Sequence, residues 1–227
     1  MSFTSWIRGW LGEAQGSLAH LFLDPEVYFR INNVTLPTPN GTTQLDHVIV
    51  SKFGIFVVET KNMKGWIFGN EHDREWTQVI FGKKYRFQNP LHQNYRHIHA
   101  LSHFLGLQDD QFFSVVMFWG DCTFKTLMPP NILRDGYLRH FKSKTEVLFS
   151  DENVQQIVAS IRNGMLPQTW ATRRQHVTDL KERFSSKSTC AKCGGALILR
   201  TAKSGGNAGS QFYGCAKFPA CRYMAAA

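Results

Sequence analysis

Two apolar, β-branched runs, His47 to Ser51 and Ile55 to Val58, flank the tripeptide Lys52-Phe53-Gly54. Strand-length runs on either side of a glycine-containing turn predict a β-hairpin. Side chains alternate along a strand, so Ile55, Val57, Glu59 and Lys61 share one face. On the preceding strand Asp46 shares its face with Val48 and Val50, and pairing about the turn brings Asp46 near Glu59 and Lys61. Farther along, QNPLHQNYRHIHALSHFLG predicts a helix after Asn89-Pro90. SDENVQQIVASIRNGM predicts a closing helix capped by Ser150 or Asp151. Phe3, Trp6, Ile7, Trp10 and Leu11 recur at helical spacing, as in a helix packed on a sheet; a membrane-surface helix is the weaker rival, with Arg8 its sole charge. There is no internal repeat and no glycine-rich phosphate loop, which argues against an ATPase.

Composition bounds what these elements can build. The 227 residues are 43% apolar, enough for a proper core, and no apolar run reaches the roughly 18–20 residues that span a bilayer. The start, MSFTSWIRGWLGEAQGS, has no long apolar region and does not read as a secretory signal, so a cytoplasmic protein without a membrane partner is expected. The formal charge of +9 points to a polyanion, and its distribution is uneven. Residues 1–170 hold 16 Lys/Arg against 15 Asp/Glu, whereas 171–227 hold 10 against Asp179 and Glu182 alone. The front reads as a near-neutral globular domain and the tail as a phosphate-binding one.

Cysteine spacing sharpens that division. Cys122 stands alone in an apolar stretch and reads as a buried thiol. Cys190, Cys193, Cys215 and Cys221 form Cys-x2-Cys, 21 intervening residues, and Cys-x5-Cys, which reads as a tetrahedral, structural Zn²⁺ site with four thiolate ligands. Between the pairs the sequence predicts a strand, a Gly/Ser-rich turn and a returning strand. Zinc would supply folding energy that so small a core lacks. The run ATRRQHVTDLKERFSSKS before it reads as a short basic helix or linker, giving segments 1–170, 171–188 and 189–227.

The tail TCAKCGGALILRTAKSGGNAGSQFYGCAKFPACRYM resembles the C-terminal four-cysteine zinc finger of type IA DNA topoisomerases. The match includes the Cys-x-x-Cys-Gly pair, the Tyr213-Gly214-Cys215 step and Pro-x-Cys-x-aromatic. Ala191 replaces a usual proline, and residues 204–210 lengthen the gap. The resemblance implies binding of single-stranded DNA. Phe212, Tyr213, Phe218 and Tyr223 are candidates to stack on bases or, alternatively, to form the finger's own core. Lys192, Arg200, Lys203, Lys217 and Arg222 are candidates to meet phosphates.

In the front domain, two carboxylates and an ammonium at a hairpin end fit a hard divalent cation such as Mg²⁺ or Mn²⁺, or else a surface salt bridge. His99 and His103, four apart, are compatible with metal ligands, but no acid or third ligand matches their spacing; with His92 and His97 they read as solvated or phosphate-facing. The domain resembles the nuclease-related domain (NERD) family of the PD-(D/E)XK nuclease superfamily. The matching residues are Gly12-Glu13, Gln44-Leu45-Asp46-His47, Gly54 to Asn62, Gly65, Gly69, Trp76 and Asn89-Pro90-Leu91-His92-Gln93. This implies an α/β fold of restriction-endonuclease type, a central mixed sheet flanked by helices with Val115–Trp119 as an interior strand. It also implies Asp46 and Glu59 as metal ligands, Lys61 as catalytic lysine, Glu13 as a helix-borne acid and Gln93 as a positioning residue. The combined expectation is a metal-dependent DNA nuclease acting on single-stranded or branched DNA in repair, processing or defence. A DNA-binding scaffold that keeps the fold without cutting, and an RNA-directed nuclease, are the alternatives.

Overall fold

The computed structural model describes residues 23–227, so the expected first helix and Glu13 lie outside the described residues. β1 (Phe29–Thr38) pairs antiparallel with β2 (Gly41–Ser51). The apolar pattern does not announce β1, because Asn32, Asn33 and Pro37 interrupt it. An edge strand tolerates such a proline, and β1 is at the edge. β3 (Gly54–Asn62) follows across a two-residue turn, with Ser51 opposite Gly54 as the hairpin requires. Gly54 has φ 130°, and a Cβ there would lie 2.6 Å from the Phe113 ring, so only glycine fits.

The chain then forms β4 (Gly65–Phe68), β5 (Glu75–Ile80), β6 (Lys83–Gln88) and α1 (Pro90–Leu105). It continues through β7 (Phe112–Trp119), β8 (Cys122–Phe124), β9 (Ile132–Leu133), α2 (Tyr137–Lys142) and α3 (Asp151–Gly164). The central sheet has the order β1-β2-β3-β7-β9, antiparallel through β3 and parallel beyond it. A second sheet, β6-β5-β4-β8, joins it through Ile67, Trp76 and Phe118. α1 and α3 cover one face of the central sheet, burying Leu101, Val154, Ile157 and Ile161 on Val48, Val50, Ile55 and Val57. On the other face Phe141 of α2 packs with Ile49, Phe56, Val58, Val115 and Met117. Each fully buried side chain of this size stabilises by about 1.5–3 kcal/mol. The mixed sheet flanked by helices, with Val115–Trp119 inside it, is the architecture expected.

α1 starts where the sequence says it should. Asn89 caps it by accepting from the Leu91 amide, Pro90 opens it, and Gly106 ends it in the left-handed region. Ser150 caps α3 through the Asn153 amide. The basic segment is a regular helix, α4 (Trp170–Ser185), and it is tied to the front domain. Asp179 accepts from the Thr42 amide at 2.7 Å and its hydroxyl at 2.6 Å, while Arg183 Nη2 donates to the Thr42 carbonyl at 2.6 Å. The tail is a three-stranded antiparallel sheet of β10 (Leu197–Thr201), β11 (Gln211–Cys215) and β12 (Met224–Ala226), one strand more than expected. Among the described residues no helix is long and apolar enough to cross a membrane.

Candidate functional site

The β2–β3 ladder ends at the His47–Val58 pair, and Asp46 sits where it opens. In place of further main-chain pairing, Asp46 Oδ2 accepts from the Thr60 amide and the Thr60 hydroxyl, both at 2.9 Å. Alternation along β2 changes phase here. Val48 and Val50 pack beneath α1 and α3, and so does Leu45, while Thr43 bonds to α1. Opposite the change stands Asn33, whose φ of 53° belongs to the left-handed region that asparagine tolerates. The expected register therefore brings Asp46 to the right place, but its carboxylate faces the Thr60 backbone.

Glu59 and Lys61 extend from β3 toward α1. Lys61 Nζ lies 2.5 Å from Glu59 Oε1 and donates to Gln93 Oε1 at 3.0 Å. Glu59 is fully buried and Lys61 only 4% exposed, so this ion pair is interior and not the exposed salt bridge left open above. Gln93 comes from the first turn of α1, held by buried Asn94. Asn94 Nδ2 donates to the Val57 carbonyl at 2.8 Å, Ser114 Oγ at 2.9 Å and the Val115 carbonyl at 3.2 Å. That anchor sets the helix against β3 and β7.

One member of the site departs from its expected place. His97, grouped above with solvated or phosphate-facing histidines, is buried, with Nε2 3.5 Å from Glu59 Oε2 and Nδ1 2.9 Å from Thr43 Oγ1. Its spacing four residues after Gln93 on one helix face was the available signal. His92 turns away to the Glu71 carbonyl at 3.0 Å, and burial lowers it to about 4. His99 is partly exposed, with Nδ1 3.8 Å from Asp109 Oδ2, and His103 is exposed.

Charge balance in this pocket is asymmetric. Burial, reinforced by the neighbouring Glu59 charge, pushes the Asp46 carboxyl up to about 8. Burial acts on Glu59 in the same direction, but Lys61 and His97 hold it below the ordinary carboxylate range. Burial also lowers His97, against the pull of Glu59. A hard divalent cation is the group this donor set fits. Glu59 Oε2 is buried with no hydrogen bond, and burial together with the Glu59 charge raises the Asp46 carboxyl, a balance that an added cation would reverse. Among the described residues the set has two carboxylates; Glu13, the expected third acid, lies outside them.

The four cysteine sulfurs form the second centre. All lie within 4.8 Å of one another and all four residues are buried. Cys190–Cys221 is 3.8 Å and Cys193–Cys215 is 3.4 Å, close to the separation of about 3.8 Å in a tetrahedron with Zn–S arms of about 2.3 Å. Cys193 is drawn down to about 4, chiefly by its hydrogen bond with Cys190, while burial pushes Cys221 up to about 11. The donor set is that of a structural zinc site.

Around it the candidate DNA contacts divide. Lys203, Lys217, Arg222 and Phe218 are exposed; Arg200, half-buried, lies 5.9 Å from the Phe218 ring and donates to the Cys215 carbonyl at 3.4 Å. Phe212 and Tyr213 are half-buried, with Lys187 over Tyr213 at 5.8 Å. Of the two readings given for Tyr223, the structure has the finger-core one: it is buried among the cysteines, and Arg74 lies over its ring at 5.6 Å. Lys192 lies over the Tyr95 ring at 5.3 Å, directed toward α1. Ile198, Leu199 and Met224, which the sequence reading did not single out, add exposed apolar surface to the finger.

Comparison with known proteins finds matches to both parts of the chain. Residues 8–119 match the nuclease-related domain, and residues 187–226 match the topoisomerase DNA binding C4 zinc finger. An uncharacterized protein of Bacillus anthracis is 36% identical over 187 residues, covering 78% of this chain and 87% of that protein. No solved structure matches.

Proposed function

We propose that this chain, which belongs to the nuclease-related domain family and ends in a topoisomerase-type C4 zinc finger, is a divalent-cation-dependent DNA nuclease. The observation that carries this reading is the convergence of Asp46, Glu59 and Lys61, with Gln93, at the opened end of the β2–β3 ladder. Asp46 and Glu59 would hold Mg²⁺ or Mn²⁺, which when bound polarises a phosphate oxygen and lowers the pKa of water. The chain's own groups do the remainder. Lys61 offsets negative charge developing on phosphorus and orients the attacking water, and Gln93 orients Lys61. His97, fixed by Thr43, holds Glu59 in place. The finger supplies affinity through its exposed cations and Phe218, with single strands, junctions or frayed ends as preferred substrates. A reducing compartment such as the cytoplasm would keep its thiols available for zinc.

Purified protein incubated with plasmid or single-stranded DNA plus Mg²⁺ or Mn²⁺ tests the reading, beside Asp46→Ala and Lys61→Ala. Cleavage by wild type alone is the expected result; absence of cleavage, or equal cleavage by Lys61→Ala, overturns it. Burial of Glu59 and Lys61 favours one rival, a DNA-binding scaffold that keeps the nuclease fold. Metal-independent DNA binding without cleavage would identify it.

A further inference from the structure

The cysteine cluster lies against α1. Arg96, on that helix, is 8% exposed, and its Nε is buried with no hydrogen-bond partner. Its Nη1 lies 3.8 Å from the point where a Cβ on Gly194 would stand, beside the first cysteine pair. Desolvation disfavours the guanidinium charge, and Cys190 and Cys193 are the groups that act against that penalty. Three further contacts surround this point. Asn40 Nδ2 donates to the Gly194 carbonyl at 3.4 Å, Lys192 covers Tyr95, and Arg74 covers Tyr223. A small cavity beside them is lined from both sides, by Arg74, Gln88 and His92 of the front domain and by Ala191, Lys192 and Tyr223 of the finger.

A divalent cation held by four thiolates leaves two negative charges uncompensated. A buried guanidinium is costly without an opposing charge, and outer charges of this kind tune metal affinity. We propose that Arg96 is the counter-charge of the zinc–thiolate cluster, so that the loaded finger docks on α1 and the emptied finger lets go of it. The finger is then no freely tethered module. Zinc fixes the position of its exposed cations relative to the front domain. It also bears on the helix that carries Gln93 and His97 into the acidic site. The inference needs zinc in the finger but does not depend on whether the acidic site cuts DNA.

Zinc stoichiometry and amide hydrogen exchange on the full chain test it. Wild type is expected to carry one zinc per chain; a zinc-free, folded finger overturns the premise separately from any result on cleavage. Chelation of wild type is expected to deprotect residues 189–227 and, with them, the Asn40 turn and the finger-facing residues of α1. Deprotection confined to 189–227 overturns the docking. Arg96→Met is expected to weaken zinc affinity about 10–100-fold, measured by competition with a chromogenic chelator, while Arg96→Lys recovers part of the loss. Unchanged zinc affinity in Arg96→Met overturns the role of Arg96. Should Arg96→Met fail to fold, Arg96→Lys and the wild-type exchange experiment decide between the same outcomes.

Discussion

The acidic site and the cysteine cluster are both buried and both face α1, yet Asp46 and Glu59 come from paired strands while three of the four cysteines come from turns and coil, and their charge is balanced differently. Glu59 has Lys61 and His97 beside it, and Asp46 has two hydrogen bonds from Thr60. The front domain therefore offsets part of its buried acid charge from within, while Glu59 Oε2 keeps no hydrogen bond, and three apolar clusters support the fold around it. The finger core is little more than its four cysteines, Ala191 and Tyr223. A core that small rarely holds itself together, so there the cation is part of the fold. In the front domain a cation would be added to a fold already complete.

Zinc removal is the largest test of that contrast. Chelation should unfold residues 189–227 and leave the central sheet native, seen as loss of finger resonances in NMR while front-domain resonances keep their dispersion. Cys193→Ser should reproduce the result without a chelator. Unfolding of both regions together, or of neither, would break the comparison.

Lys61→Ala comes next and acts on both fold and chemistry. Cleavage should fall by about 10²–10⁴-fold, the usual worth of a positioned proton-handling group. Stability should fall by about 3 kcal/mol, because Glu59 loses its nearest countercharge inside the protein. Added divalent cation should restore part of the stability and none of the rate. Thermal melts with and without Mg²⁺ check the first statement and initial rates the second.

The Asp46 carboxyl provides a pH signature. Its folded value is raised to about 8 from an ordinary 3.8, so the folded state holds a proton that the unfolded chain has lost over that window. The associated stability is fully present below the unfolded value and is lost as pH rises through about 8. Asp46→Asn should remove this decline in the metal-free protein. Metal must displace the same proton, so affinity should rise about tenfold per pH unit toward pH 8 and level off above it. Calorimetric titration of Mn²⁺ at several pH values would show this, and a flat profile would remove Asp46 from the ligand set.

Much of this was legible in the chain, for identifiable reasons. The hairpin at Lys52-Phe53-Gly54, the Asn89-Pro90 helix start and the cysteine pairs are local patterns, in which neighbours in sequence become neighbours in space. β1 was hidden by Pro37 and its two asparagines, and the phase change opposite Asn33 has no periodic signature. His97 could be counted on a helix face, but nothing local says that the face meets Glu59 and Thr43. Tyr223 is the converse case: in so small a module the same aromatic can fill the core or meet a ligand, and its packing among the cysteines decides it. Docking of α4 through Asp179, Arg183 and Thr42 joins residues more than 130 positions apart, which no spacing rule reaches.

The smallest expected effect separates the finger's outward face from the face turned toward α1. Lys203, Lys217 and Arg222 are exposed, whereas Lys192 covers Tyr95 and Arg200 serves the Cys215 carbonyl. If the exposed three meet phosphates, each alanine substitution should weaken binding only a few-fold at physiological salt. The triple variant should lower the slope of log affinity against log salt by about 2, from roughly 0.7 per phosphate contact on single strands. Lys192→Ala should leave that slope unchanged, because its ammonium is spent on the interface. Fluorescence anisotropy of a labelled oligonucleotide over a salt series would measure both. A slope that falls with Lys192→Ala and holds in the triple variant would mean that DNA runs along the seam between finger and front domain, not over the finger's outer surface.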